Sequence, residues 1–179
     1  MPTPRGKTIC FIDNSNVFGG FKAAGWRIDW AKLQRYLEQF EPIWQVHFFA
    51  SEQDPPRAIQ TEFYRYLKDH LHWEVHLYDL GKKTHTCSGC GNKDTTPAEK
   101  GVDVGLATKM LILGVNRAYE TAILIAGDRD YLETVQFVKN LGLRVEVISW
   151  KSALAPEIES ESSSSVLLLD NLRSQVEKL

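Results

Sequence analysis

The chain has no uninterrupted apolar stretch approaching the roughly 20 residues that cross a bilayer, so no membrane anchor is expected. Its opening, "MPTPRGKTICFID", lacks the apolar core and cleavage site of a secretory leader, and a cytoplasmic protein is expected. Cysteine is scarce. Three residues, an odd number, argue against a disulfide framework, and Cys10 in the apolar run "TICFI" is expected to be a small core residue. A one-sided charge is missing too. With 21 Lys and Arg against 23 Asp and Glu, the net charge of −2 gives no global attraction to nucleic acid or membrane, so any basic surface must be local. No internal repeat is evident.

What is present is an alternation of strand and helix. Five segments read as strands: 8–13, 44–51, 73–80, 121–127 and 143–150. The first and fourth are almost continuously apolar, as central strands covered on both faces should be. Helical patterns fall at 29–40, with Asp29 as N-cap, and at 54–71, where Asp54 precedes Pro55 at the first helical position. Two more fall at 102–115 and at 131–142, the latter ending on Gly142. The alternation predicts a three-layer α/β/α sandwich, Rossmann-like, with a mostly parallel five-stranded sheet. One domain over 1–150 is expected, with a Cys-x-x-Cys loop at 82–98, followed by a helical extension over 151–179 that packs on or is tethered to it. The biased run "ESESSSS" (159–165) reads either as a flexible linker or as the polar part of a last helix docking through "VLLLDNL" (166–172).

In a 3-2-1-4-5 strand order, the first and fourth strands are neighbours where open sheets bind ligands beyond their carboxyl ends. Asp13 ends the first strand, Asp128 and Asp130 follow the fourth, and Asp103 opens the helix before it. Singly, each has a plain structural role: a turn at Asp13, a favourable helix-end charge at Asp103, and a cap at Asp130, which with Glu133 makes an acidic capping box. Together they predict four carboxylates on one side of one sheet. Such a gathering implies a bound cation, and oxygen ligands select Mg²⁺ or Mn²⁺, the setting for phosphodiester hydrolysis.

The blocks "FIDNSNVF", "KGVDVGLATKML" and "AILIAGDRDYLETVQFVKNLGLRVEVI" resemble the three signatures of NYN domains, of the PIN-like nuclease superfamily, and are most similar to its LabA-like branch. The resemblance implies a Rossmann-like sandwich and a Mg²⁺- or Mn²⁺-dependent ribonuclease site. It implies Asp13, Asp103 and Asp128 as metal ligands, Asn16 as the residue orienting water or phosphate, and Asp130 as a further acid. Relatives often carry another acid where this chain has Lys109. Some LabA-like proteins act as regulators, so a non-catalytic RNA-binding protein is the alternative.

Single-stranded RNA is the expected partner, with a homodimer left open. Lys100, Arg129 and Lys22 are the foremost backbone contacts, with Arg27, Lys82, Lys83 and Lys93 in reserve. Phe18, Phe21 and Trp26 are candidate stacking faces, although each alone is more simply core. Cys87 and Cys90, with His85 as a third donor, supply at most three of the four ligands of a structural zinc. A reduced metal-free turn, a zinc site completed from elsewhere and a redox pair all remain open.

Overall fold

Thr8–Asp13 forms β1 and is buried along its whole length, as is its neighbour β5 (Thr121–Ile125). The computed structural model describes residues 4–179 except Phe40 and Cys87, and leaves the side chains of residues 82, 83, 85 and 97–99 undescribed. With β2 (Ile43–Glu52), β3 (Glu74–Thr86) and β6 (Arg144–Ser149), the central order is β3-β2-β1-β5-β6, all parallel. This is the expected 3-2-1-4-5 arrangement. Two further strands make the sheet seven-stranded rather than five: β4 (Lys93–Glu99), antiparallel to β3, and β7 (Leu167–Leu168), parallel to β6. Neither combines the length and the apolar pattern of a core strand. β4 reads "KDTTPAE", and β7 is only two residues long.

β3 continues six residues past its predicted end at 80. Its pairing with β2 finishes at Glu52↔Asp79, and from Leu80 onward it pairs only with β4, forming a hairpin arm. The described polar residues there, Thr84, Thr86 and 93–96, are exposed, so no apolar pattern is required of them. The Cys-x-x-Cys loop is the tip of this arm. Cys90 is exposed, whereas Cys87 and the side chain of His85 fall outside the described residues, and the zinc expectation with them.

Alternation along β1 divides the core. Cys10 and Ile12 pack with Val17 of α1 (Asn14–Ala24), Leu33 and Leu37 of α2 (Trp30–Glu38), and Leu67 of α3 (Ala58–Asp69). Ile9 and Phe11 face the other layer, against Leu106 and Met110 of α4 (Val102–Val115) and Val135 and Val138 of α5 (Leu132–Asn140). Each such side chain, fully buried, contributes about 2 kcal/mol. Cys10 is the small core residue expected, and burial pushes its thiol pKa up.

α3 begins later than expected. Arg57, not Asp54, is its N-cap, with no side-chain bond. Pro55 is followed by Pro56, and a residue before proline is disfavoured in the helical region, so the helix starts only beyond the pair. α1 is the helix that periodicity missed, because two glycines blur its pattern.

The serine run is neither a linker nor part of a last helix. Glu157–Glu161 belong to α6 (Pro156–Glu161), which packs on α5 with Lys139 paired to Glu161 at 2.6 Å. Ser163 Oγ accepts from Val145 N at 3.0 Å, and Ser162 Oγ from Val147 N at 3.3 Å, so these hydroxyls satisfy the open edge of β6. After β7 the chain crosses to the opposite layer. There α7 (Arg173–Val176) meets the start of α2 through Asp29 N→Val176 O at 2.8 Å. No helix among the described residues is long and apolar enough to cross a membrane.

Candidate active site

Asp13 ends β1 and, two residues beyond Phe11, faces the α4 layer. It is buried and accepts four hydrogen bonds. Oδ1 takes Ser15 N at 2.9 Å, Ser15 Oγ at 2.7 Å and Asn16 N at 3.2 Å, which makes Asp13 the N-cap of α1. Oδ2 accepts from the Tyr131 hydroxyl at 2.8 Å. The "DNSN" stretch therefore opens a helix rather than a turn.

Tyr131 is the site residue that sequence reasoning missed. It is 1% exposed, and its phenol pKa is driven up by burial first, then by the carboxylates of Asp13, Asp103 and Asp128. Three acids from three distant segments thus act on one buried hydroxyl. The only hint in the sequence is an aromatic hydroxyl directly after Gly-Asp-Arg-Asp.

The turn carrying Asp128 is held by Gly127. Its N–H donates to Asn16 Oδ1 at 3.1 Å and its carbonyl accepts from Ala155 N at 2.8 Å. A Cβ at this position would collide with Ser149 Oγ and the Ala153 carbonyl, and would lie 2.8 Å from Leu154 Cα. That close approach, not backbone freedom, requires the glycine. Asn16 therefore commits its amide oxygen to positioning the β5 loop.

The cap expected at Asp130 falls instead on Asp128. Asp128 is the N-cap, accepting from Asp130 N at 3.1 Å ahead of a 3₁₀ turn over Arg129–Tyr131, whereas α5 itself has no side-chain cap. The reason is that 3₁₀ turn, which occupies the residues where an Asp130 cap was expected. Asp103 lies exposed in the first turn of α4, as expected, behind Gly101 at φ +79.

Among the described residues, the aspartates do not form a group of three with ligand oxygens within 4.8 Å of one another; the one such His/Cys/Asp/Glu group is His47, Glu74 and His76 on β2 and β3. The oxygen-only donor set at the strand ends nevertheless suits a hard ion, which typically keeps several waters and takes one or two carboxylates.

Around the acids, Lys100 and Lys22 are exposed, and Lys22 sits 5.7 Å over the ring of Phe18. Arg129 is exposed and pairs with Glu157 at 3.4 Å. Phe18 is 47% exposed, but Trp26 is buried with its ring 4.9 Å from Trp150, and Phe21 packs edge-on against the same indole. The two are core, not stacking faces, because Trp150 docks α1 onto the sheet through Trp150 Nε1→Val17 O at 3.0 Å.

A three-layer sandwich with acids at the carboxyl ends of its central strands is the build of the PIN-like fold. The NYN domain family profile matches residues 7–168, and the chain belongs to that family, within the PIN-like superfamily. Among solved structures it is similar to a Vibrio parahaemolyticus protein of unknown function (VPA0982). The TM-score is 0.74 at 16% identity, over 99% of this chain and 100% of that one. That likeness bears on the fold alone. Acinetobacter baumannii MurG also aligns, with a TM-score of 0.43 at 12% identity over 90% of this chain and 45% of that one. No match was found among curated proteins.

Proposed function

We propose that this NYN protein is a Mg²⁺- or Mn²⁺-dependent hydrolase of phosphodiester bonds in single-stranded RNA. The observation that supports this reading is the buried Tyr131 hydroxyl. It donates to Asp13 and lies in the field of Asp103 and Asp128, so acids from β1, α4 and the β5 loop all act on one hydroxyl. Asp13, Asp103 and Asp128 hold the ion in this reading. A divalent ion there supplies an activated water and charge stabilisation at the leaving oxygen. Tyr131 and the α1 N-terminus fix the Asp13 carboxylate. Asn16 holds the β5 loop, and Asp130 stands beside Asp128 as a further acid. Lys100, Lys22 and Arg129 would contact the RNA backbone, and Phe18 is the exposed ring able to stack on a base.

One observation favours a second reading, that of an RNA-binding or regulatory module with little or no turnover. Both oxygens of Asp13 already accept internal hydrogen bonds, and Arg129 is paired with Glu157. One experiment separates the two. Wild-type protein, incubated with labelled single-stranded RNA in Mn²⁺, should cleave it, with cleavage lost on chelation and in a folded Asp128→Asn variant. Tight binding with no product in Mn²⁺ would establish the module instead. Wild-type rates in Asp128→Asn would refute the assignment of the acids.

A further inference from the structure

The β2–β3 pair carries a second polar cluster, below the acids and independent of them. Register places His47 opposite Glu74 and Phe49 opposite His76. Glu74 and His76 are two residues apart and share a face of β3, which is also the face on which His47 stands. His47 Nδ1 lies 3.0 Å from His76 Nε2, and His47, His76 and Glu74 each offer one ligand atom within 4.8 Å of those of the other two. Two nitrogens bound to one tetrahedral zinc at about 2.0–2.1 Å stand about 3.3 Å apart, so the rings need only a slight separation.

The surroundings are those of an oriented donor set. Gln45 donates its amide N–H to Glu74 Oε1 at 3.2 Å, which turns its own Oε1 toward His47 Nε2, also at 3.2 Å. His47 therefore carries its proton on Nε2 and presents the Nδ1 lone pair, which now accepts from His76 Nε2–H. Ligating histidines are held in this way, through the N–H that does not touch the metal. Phe11 stacks on His47 at 5.5 Å and Phe49 on His76 at 4.5 Å, which fixes both ring planes. His47 is buried, His76 half-buried and Glu74 exposed, so the cluster opens to solvent on the Glu74 side.

We propose that His47 Nδ1, His76 Nε2 and the Glu74 carboxylate form a site for a zinc-class ion, with water as the fourth ligand. Two imidazoles and one carboxylate suit Zn²⁺ or Co²⁺ rather than Mg²⁺. Binding replaces the proton between the rings; that proton moves to His76 Nδ1, so both rings stay neutral and no net proton is released. The ion would clamp β2 to β3 below the root of the hairpin arm. Lys109 of α4, in the helix layer that covers this face, is within electrostatic range of both rings and opposes the ion, lowering its affinity.

The test is a Co²⁺ titration of the full chain carrying Cys87→Ser and Cys90→Ser, which removes thiolate ligands. One Co²⁺ per chain should bind with the visible absorption of a four-coordinate ion, and Zn²⁺ should displace it. His76→Gln should abolish that absorption, Glu74→Gln should weaken binding at the site, and Lys109→Met should tighten it. Asp13→Asn should leave it unchanged, which keeps this site separate from the acidic pocket. No four-coordinate Co²⁺ absorption from the thiol-free chain, or such absorption that survives His76→Gln, overturns the proposal. If the histidine variant does not fold, ¹⁵N spectra of the otherwise native chain decide. Zn²⁺ must shift His47 Nδ1 and His76 Nε2, and unmoved resonances overturn the site.

Discussion

Asp13 and His47 stand on the same face of the sheet, on adjacent strands and two residues apart in register, yet they are held by opposite means. Asp13 is fixed chiefly by its own chain: three of its four donors come from Ser15 and Asn16, two and three residues on. His47 is fixed across the sheet, by His76 of the next strand, 29 residues away, and by the ring of Phe11 on the strand to its other side. A charge is well served by hydrogen-bond donors at a helix N-terminus. A buried imidazole is kept neutral instead. Burial pulls the His47 pKa down from 6.5 to about 4, and the neighbouring His76 and Lys109 add to it; His76 is lowered as well, again mainly by burial. One sheet thus holds a locally fixed carboxylate beside a cross-strand pair of imidazoles.

The contrast is tested most severely at Asp13. Asparagine caps helices about as well as aspartate, so Asp13→Asn should fold and yet lose about 10²–10⁴-fold in RNA cleavage. Single-turnover rates beside circular dichroism check this, and an active variant would make Asp13 a cap and nothing more.

The imidazole pair answers to pH. Because the folded pKa of His47 lies below its unfolded value, the unfolded chain takes up the proton first. Stability is complete above about pH 6.5 and is lost as pH falls toward 4, by at most about 3 kcal/mol. Urea unfolding of metal-free protein across that range measures it, and His47→Gln should flatten the slope.

Gly127→Ala drives a methyl into Ser149 and the Ala153 carbonyl. It should cost about 1–3 kcal/mol and move the Asp128 turn. Little change in the unfolding midpoint would mean that the loop yields. Tyr131→Phe removes one bond to a buried carboxylate and should cost about 1.5 kcal/mol. It should also lower cleavage less than Asp13→Asn does, since Tyr131 only positions the acid.

How much of this was legible depends on the range of each interaction. Asp29 as the cap of α2 was readable, because Lys32 N lies three residues away at 3.0 Å. Asp103 in the first turn of α4 was readable for the same reason. The cap at Asp128 was misplaced onto Asp130, since a capping pattern cannot reveal that a 3₁₀ turn intervenes. β4 and the serines along β6 were invisible: their partners supply backbone hydrogen bonds, which leave no apolar alternation. Trp26 could be read as core or as a stacking face, and the contact that makes it core, with Trp150, lies 124 positions on.

By itself, the amino-acid order determined the alternation of elements, the two fully buried central strands and the acids at their carboxyl ends. These rest on periodicity and capping, which act over two to four residues. Only the tertiary structure decided that Tyr131 donates to Asp13, that Gly127 must be glycine, and that His47 meets His76. Those contacts depend on strand register and on the order of strands in the sheet. Both are set by packing the whole core at once, because a slip of one residue would turn every side chain to the other face.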